Sequence, residues 1–138
     1  MELDALDVLV GKWEITGRTL DADKDNVSGE MSGERILNGK VLELRGVMRF
    51  SGGQMETIEL IWPDGDGGFR AHVYSDDSGP VEYRWERDGV RLTHAGSGAT
   101  YTGMISNDGL VIAGGWRPDG DSADETGNAY DATMRRIG

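Results

Sequence analysis

Hydrophobic and polar residues alternate with period two over most of this chain, the pattern of strands that bury one face and wet the other. The alternation begins after Gly11 and predicts strands near 12–20, 27–37, 40–50, 54–62, 68–75, 80–87, 89–95, 98–106, 109–117 and 127–137. Only the front departs from it: Leu3, Leu6, Leu9 and Val10 share one side of a helix of one or two turns. Between the runs lie Asn38-Gly39, Ser51-Gly52-Gly53, Asp64 to Gly68, Asp76 to Gly79, Asp88-Gly89, Gly96-Ser97-Gly98 and Asn107-Asp108-Gly109. Asn-Gly and Asp-Gly pairs favour two-residue hairpins, because both central positions tolerate positive φ. Connections this short make successive strands antiparallel neighbours.

About ten strands in up-and-down order, with no helix long enough to cover a flat sheet, would leave two bare edges and one unburied face. Closing the sheet removes both problems. The expected fold is therefore all-β: an antiparallel up-and-down β-barrel of about ten strands with a short N-terminal helical plug. Eight strands is roughly the limit that side chains alone can fill, so a ten-stranded barrel is wide enough for a cavity. The 22 glycines and three prolines agree with this. Glycine scattered without a period supplies the turns and sharp bends of a strongly curved sheet.

Length and charge narrow the function classes. A chain of 138 residues is the size of one domain, 1–138. With 25 acidic against 14 basic residues the net charge is −11, which repels phosphate backbones and anionic lipid, so neither a nucleic-acid nor a membrane partner is expected. The start MELDALDVLVGKW has no long apolar run and reads as neither signal peptide nor span, so a cytoplasmic location is expected. The absence of cysteine excludes disulfides and thiolate zinc sites.

Gly11-Lys12-Trp13 opens the first strand, and a closed barrel puts that strand beside the last. An arginine on the closing strand can then lay its guanidinium over the Trp13 indole. A Gly-x-Trp of this kind with Arg on the last strand resembles the calycin superfamily of lipocalins and fatty-acid-binding proteins. Within it the chain is similar to the uncharacterised bacterial group DUF1579 and its lipocalin-like relatives. The matching pieces are LDVLVGKW at 6–13, RILNGKVLELRG at 35–46, FRAHVYSDDSG at 69–79, YTGMISNDGLVIAGGW at 101–116 and YDATMRRI at 130–137. The resemblance implies that Arg136 rather than Arg135 partners Trp13, as a structural closure. It also draws attention to His72 and Tyr74.

Alternation assigns faces to the strands. Val81, Tyr83 and Trp85 oppose Glu82, Arg84 and Glu86, and Leu42, Leu44, Met48 and Phe50 point inward. Tyr101 with Ile105, and Leu110 with Ile112 and Trp116, form further faces. On 68–75 two assignments stand open: Phe69, Ala71 and Val73 as ordinary core, or Arg70, His72 and Tyr74 as a polar file into the cavity. The expected ligand-binding set is Trp62, Arg70, His72, Tyr74, Tyr83, Trp85, Tyr101 and Trp116, suited to an apolar pocket with a few orienting polar groups.

Other chemistry finds less support. His72 and His94 are the only histidines, and no spacing joins them with a carboxylate as metal ligands. Heme-binding relatives, the nitrobindins, use a histidine near the closing strand, and none follows position 94 here, so heme is a minor alternative. Asp21 to Asp25 imitates a calcium loop, but Asn26 and Ser32 stand at its sixth and twelfth positions. No GxSxG elbow or phosphate-binding loop is present. The reading is a barrel that binds a small hydrophobic molecule, with no cofactor, no metal and no catalytic residue assigned. The alternatives are an isomerase or cyclase on the same barrel, for which a cavity histidine beside a carboxylate is the mark, and a filled barrel that dimerises through an outer face.

Overall fold

The computed structural model describes residues 2–120 and 129–138. A 3₁₀ helix, Glu2–Leu9, leads into ten strands. These are β1 (Gly11–Thr19), β2 (Val27–Ile36), β3 (Val41–Phe50), β4 (Gly53–Pro63), β5 (Phe69–Ser75), β6 (Ser78–Asp88), β7 (Arg91–Gly96), β8 (Ala99–Ile105), β9 (Val111–Pro118) and β10 (Tyr130–Arg136). Every neighbouring pair is antiparallel, and β1 closes on β10 from Trp13↔Arg136 to Thr19↔Tyr130. The fold is thus the all-β up-and-down barrel with an N-terminal helix that the alternation predicts. The ladder shifts register once between β5 and β6, near Val73 and Ser75. Residues 127 and 128 of the expected last strand lie outside the described residues.

The seam between first and last strands explains the Gly-x-Trp. Trp13 is fully buried, and the Arg136 guanidinium carbon sits 4.5 Å from its ring centroid. The indole Nε1 donates to the Leu9 carbonyl at 3.2 Å. Arg136 Nη2 donates to the Val8 carbonyl at 2.8 Å, and Nη1 to that of Val10. One cation therefore fastens the closing strand to both the indole and the end of the helix. Gly11 makes room for it: its φ is +123°, and a Cβ there would collide with Arg136 Nη1.

The helix plugs the barrel end where β1 begins. Leu3, Leu6 and Leu9 are fully buried in one core with Trp13, Leu42, Ile61, Phe69, Leu92 and Ile112. Gly33 on β2 seats it, since a side chain there would strike the Leu9 carbonyl oxygen. Outside, Arg35 bonds Asp4 at 3.0 Å and Asp7 at 2.6 Å, and Arg87 donates to the Ala5 carbonyl at 2.8 Å. Leu110 departs from expectation. It precedes β9 in a hairpin and is 47% exposed, so Ile112 and Trp116 carry that strand's inner face.

Two substitutions measure the seam. Trp13→Ala is expected to lower unfolding stability in urea by about 3–5 kcal/mol, the range for a buried aromatic. Arg136→Met keeps part of the stem and is expected to cost about 2 kcal/mol, from the cation–π contact and the charged hydrogen bonds. A loss below about 0.5 kcal/mol for Arg136→Met, within the range of ordinary surface changes, would contradict this role.

Candidate functional site

Above the plug the barrel is hollow. A cavity of about 200 Å³ runs from Leu9 and Ile15 toward the far end, where Met48, Met55 and Tyr130 line it. Aliphatic walls come from Leu44, Val73, Leu92 and Met134. The other side is aromatic, and strand register explains why. Trp85 pairs laterally with His94, His94 with Tyr101, Tyr101 with Trp116, and Trp116 with Tyr130. One level of five consecutive strands, β6 to β10, thus places five flat rings side by side. Two glycines on the inner faces let rings lie against the wall. A Cβ at Gly96 would be 2.5 Å from the Tyr83 ring, and one at Gly103 would be 2.6 Å from that of Tyr101. Larger residues there would push both rings into the space a ligand needs.

One buried carboxyl side chain enters this apolar room. Glu59 on β4 is only 6% exposed. Its Oε2 accepts from Trp85 Nε1 at 2.8 Å and stands 2.8 Å from His94 Nε2. The His94 imidazole is stacked on the Trp85 indole at 3.9 Å and 13°, with the Tyr83 ring 4.9 Å away. Three strands therefore hold one carboxylate, one imidazole and one indole in a single packed unit. Tyr101 donates its hydroxyl to the Ala132 carbonyl at 3.1 Å, and Tyr83 to Ser97 Oγ at 3.3 Å. Burial pushes the Tyr101 phenol well above its ordinary range, and pushes Tyr130 up from 10.0 to about 12.

Of the residues expected to touch a ligand, the structure brings Tyr83, Trp85, Tyr101 and Trp116 together on the cavity. Trp62, Arg70, His72 and Tyr74 face the other way, and the expectation for these four is corrected. Phe69 and Ala71 take the interior of β5, so alternation turns Arg70, His72 and Tyr74 outward. On β4 the interior belongs to Thr57, Glu59 and Ile61, which sends Trp62 out. There Trp62 meets the His72 ring edge-on at 5.0 Å, His72 meets Tyr74 at 6.5 Å, and Arg70 pairs with Glu82 at 3.2 Å.

Sequence reasoning passed over Glu59, and it held His94 only as an acid/base candidate for the enzyme alternative, outside the expected ligand-binding set. His94 carried a signal, because it shares a parity with Leu92 and Gly96 on β7. Glu59 carried the opposite one: Ile58, Leu60 and Trp62 beside it make the outer face of β4 look like the core.

No family model matches the chain, and no curated protein matches it. Among solved structures it is similar to a de novo designed fluorescence-activating β-barrel, at 18% identity and TM-score 0.55, covering 97% of this chain and 98% of that one. It is also similar to a redesigned β-barrel, mFAP1, bound to DFHBI, at 12% identity and TM-score 0.52 over 96% and 98% of the two chains. A third, EF1p2_mFAP2b bound to DFHBI, shows 11% identity and TM-score 0.51 over 99% and 100%. At these identities the likeness concerns the barrel fold.

The buried phenols give a pH signature. The folded chain holds the Tyr130 proton up to about pH 12, whereas the unfolded chain releases it near 10.0. Unfolding therefore releases protons between those values, so stability is intact below pH 10.0 and falls as pH rises toward 12. Tyrosinate absorbance titrations of the protein and of Tyr130→Phe should place the missing step near 12, with alkaline unfolding accompanying it. A Tyr130 step near 10.0 in a folded chain would contradict the buried placement.

Proposed function

We propose that the barrel binds one small, largely apolar molecule in its cavity, as a calycin-type binding protein of the cytoplasm. The observation that carries this is a hollow of about 200 Å³ walled by aromatic and aliphatic side chains, with Glu59 and His94 as its polar pair. An apolar cavity of about 150 Å³ stays dry and takes up benzene, so this one suits a frame of one or two rings rather than a long acyl chain. Affinity would come from burying the ligand's apolar area, at roughly 25 cal/mol per Å² before ordering costs. The similar barrels mFAP1 and EF1p2_mFAP2b hold DFHBI, which supports this architecture as one that accommodates small molecules. The Gly11-x-Trp13 start with Arg136 on the closing strand supports the calycin assignment.

A second reading, an isomerase or cyclase, is favoured by one feature: His94 and Glu59 stand 2.8 Å apart on the cavity, where a general base needs to be. Conversion of a bound compound to product would favour it over simple binding.

The binding reading is tested with a neutral two-ring probe, 1-naphthalenemethanol, and with native mass spectrometry of freshly expressed protein. The melting temperature should rise with the logarithm of probe excess. Thr57→Trp, which puts an indole into the cavity, should abolish that rise. No shift together with no co-purified small molecule would contradict the reading, as would a shift that Thr57→Trp leaves unchanged.

A further inference from the structure

We infer that the ligand carries a protonated nitrogen, an amine on a frame of one or two rings, and that Glu59 is its counter-ion. This rests on the binding reading above and adds the chemical class to it.

The two oxygens of Glu59 are unequally served. Both protein partners converge on Oε2, the Trp85 indole as donor and the His94 imidazole, each at 2.8 Å. No described donor reaches Oε1. No fully enclosed side-chain oxygen among the described residues lacks a partner, so Oε1 keeps open surface, and Glu59 lines the cavity. A carboxylate oxygen in an apolar room has lost its water and gains most from a charged donor.

The rest of the lining points the same way, and two of its hydroxyls are already committed. The Tyr101 hydroxyl goes to the Ala132 carbonyl and that of Tyr83 to Ser97. Neither lysine nor arginine is found in the described lining. Arg136, the cation at the plug, spends both its terminal nitrogens on the carbonyls of Val8 and Val10. Glu30, the other acidic residue at the wall, is exposed and held by Arg49 at 2.5 Å. A carboxylate or phosphate ligand would therefore find no lysine or arginine and would meet Glu59. A cation would find that carboxylate and the rings of Trp116 and Tyr101, aromatic groups that attract cations. The net charge of −11 steers cations toward the protein and anions away from it.

Three probes on one frame test this by calorimetry: 1-naphthylmethylamine, 1-naphthalenemethanol and 1-naphthoate. The amine should bind the unmodified protein on the order of tenfold to a hundredfold more tightly than the alcohol, the worth of one charged hydrogen bond, and the carboxylate should bind weakest. Glu59→Gln should remove most of the amine's advantage over the alcohol, since the charge is lost. Should Glu59→Gln fail to fold, the order of the three probes on the unmodified protein still decides. An alcohol that binds as well as the amine, or a carboxylate that binds better, overturns the inference and leaves the binding reading standing. If none of the three binds, the inference is overturned, and if no small molecule co-purifies either, the binding reading falls with it.

Discussion

The β1–β10 seam is the constraint on which the rest of this molecule depends. Without it the ten strands would form an open ribbon with two unpaired edges, and the inner faces would have nothing opposite them. With it, the inward residues of each strand face those across the barrel. The seam is reinforced at one end by a compact arrangement: indole below, guanidinium above, and the two carbonyls of Val8 and Val10 bound to the guanidinium. Because Trp13 Nε1 and Arg136 both bind carbonyls of the 8–10 segment, closing the sheet and seating the plug are one event. A half-buried guanidinium with its donors satisfied is tolerable, and it cannot be exchanged for lysine without losing the planar fit to the indole.

Closure at one end sets the conditions at the other. The plug leucines and the Trp13 level fill the barrel with close-packed apolar side chains, so the empty space is displaced toward the opposite end. There the inner faces carry rings flattened against glycine, methionines, and the Glu59–His94–Trp85 unit. That unit is costly to build into an apolar wall. A buried carboxylate that lost either donor would be left poorly solvated. Stability alone would be served as well by an aliphatic residue at 59, which is why the recognition role proposed above falls to this unit.

The fold was largely legible in the sequence, while the site was legible only in part. Period-two alternation and Asn-Gly or Asp-Gly turns are local signals, and local signals suffice to count and place strands. Closure was legible because a ten-stranded sheet without covering helices has few other ways to hide its edges. Choosing faces was harder. On β6, Val81-x-Tyr83-x-Trp85 against Glu82, Arg84 and Glu86 leaves no doubt. On β4, however, the hydrophobic file Ile58, Leu60 and Trp62 is the outer one, and the inner file is Met55, Thr57, Glu59 and Ile61. Parity there is decided by registry with neighbours, Leu42↔Ile61 and Ile61↔Ala71, which is long-range information. The same registry turned His72 outward and let His94, which shares its parity with buried Leu92, meet Glu59 across the interior.

Amide hydrogen exchange resolved by residue tests the central claim most directly. If the barrel is closed, amides along β1 that pair with β10, such as those between Trp13 and Thr19, exchange as slowly as those of the β2–β3 ladder and open only with global unfolding. If β1 and β10 are free edges, their amides on that side exchange freely while the β2–β3 ladder stays protected, and the account of a sealed, hollow barrel is wrong.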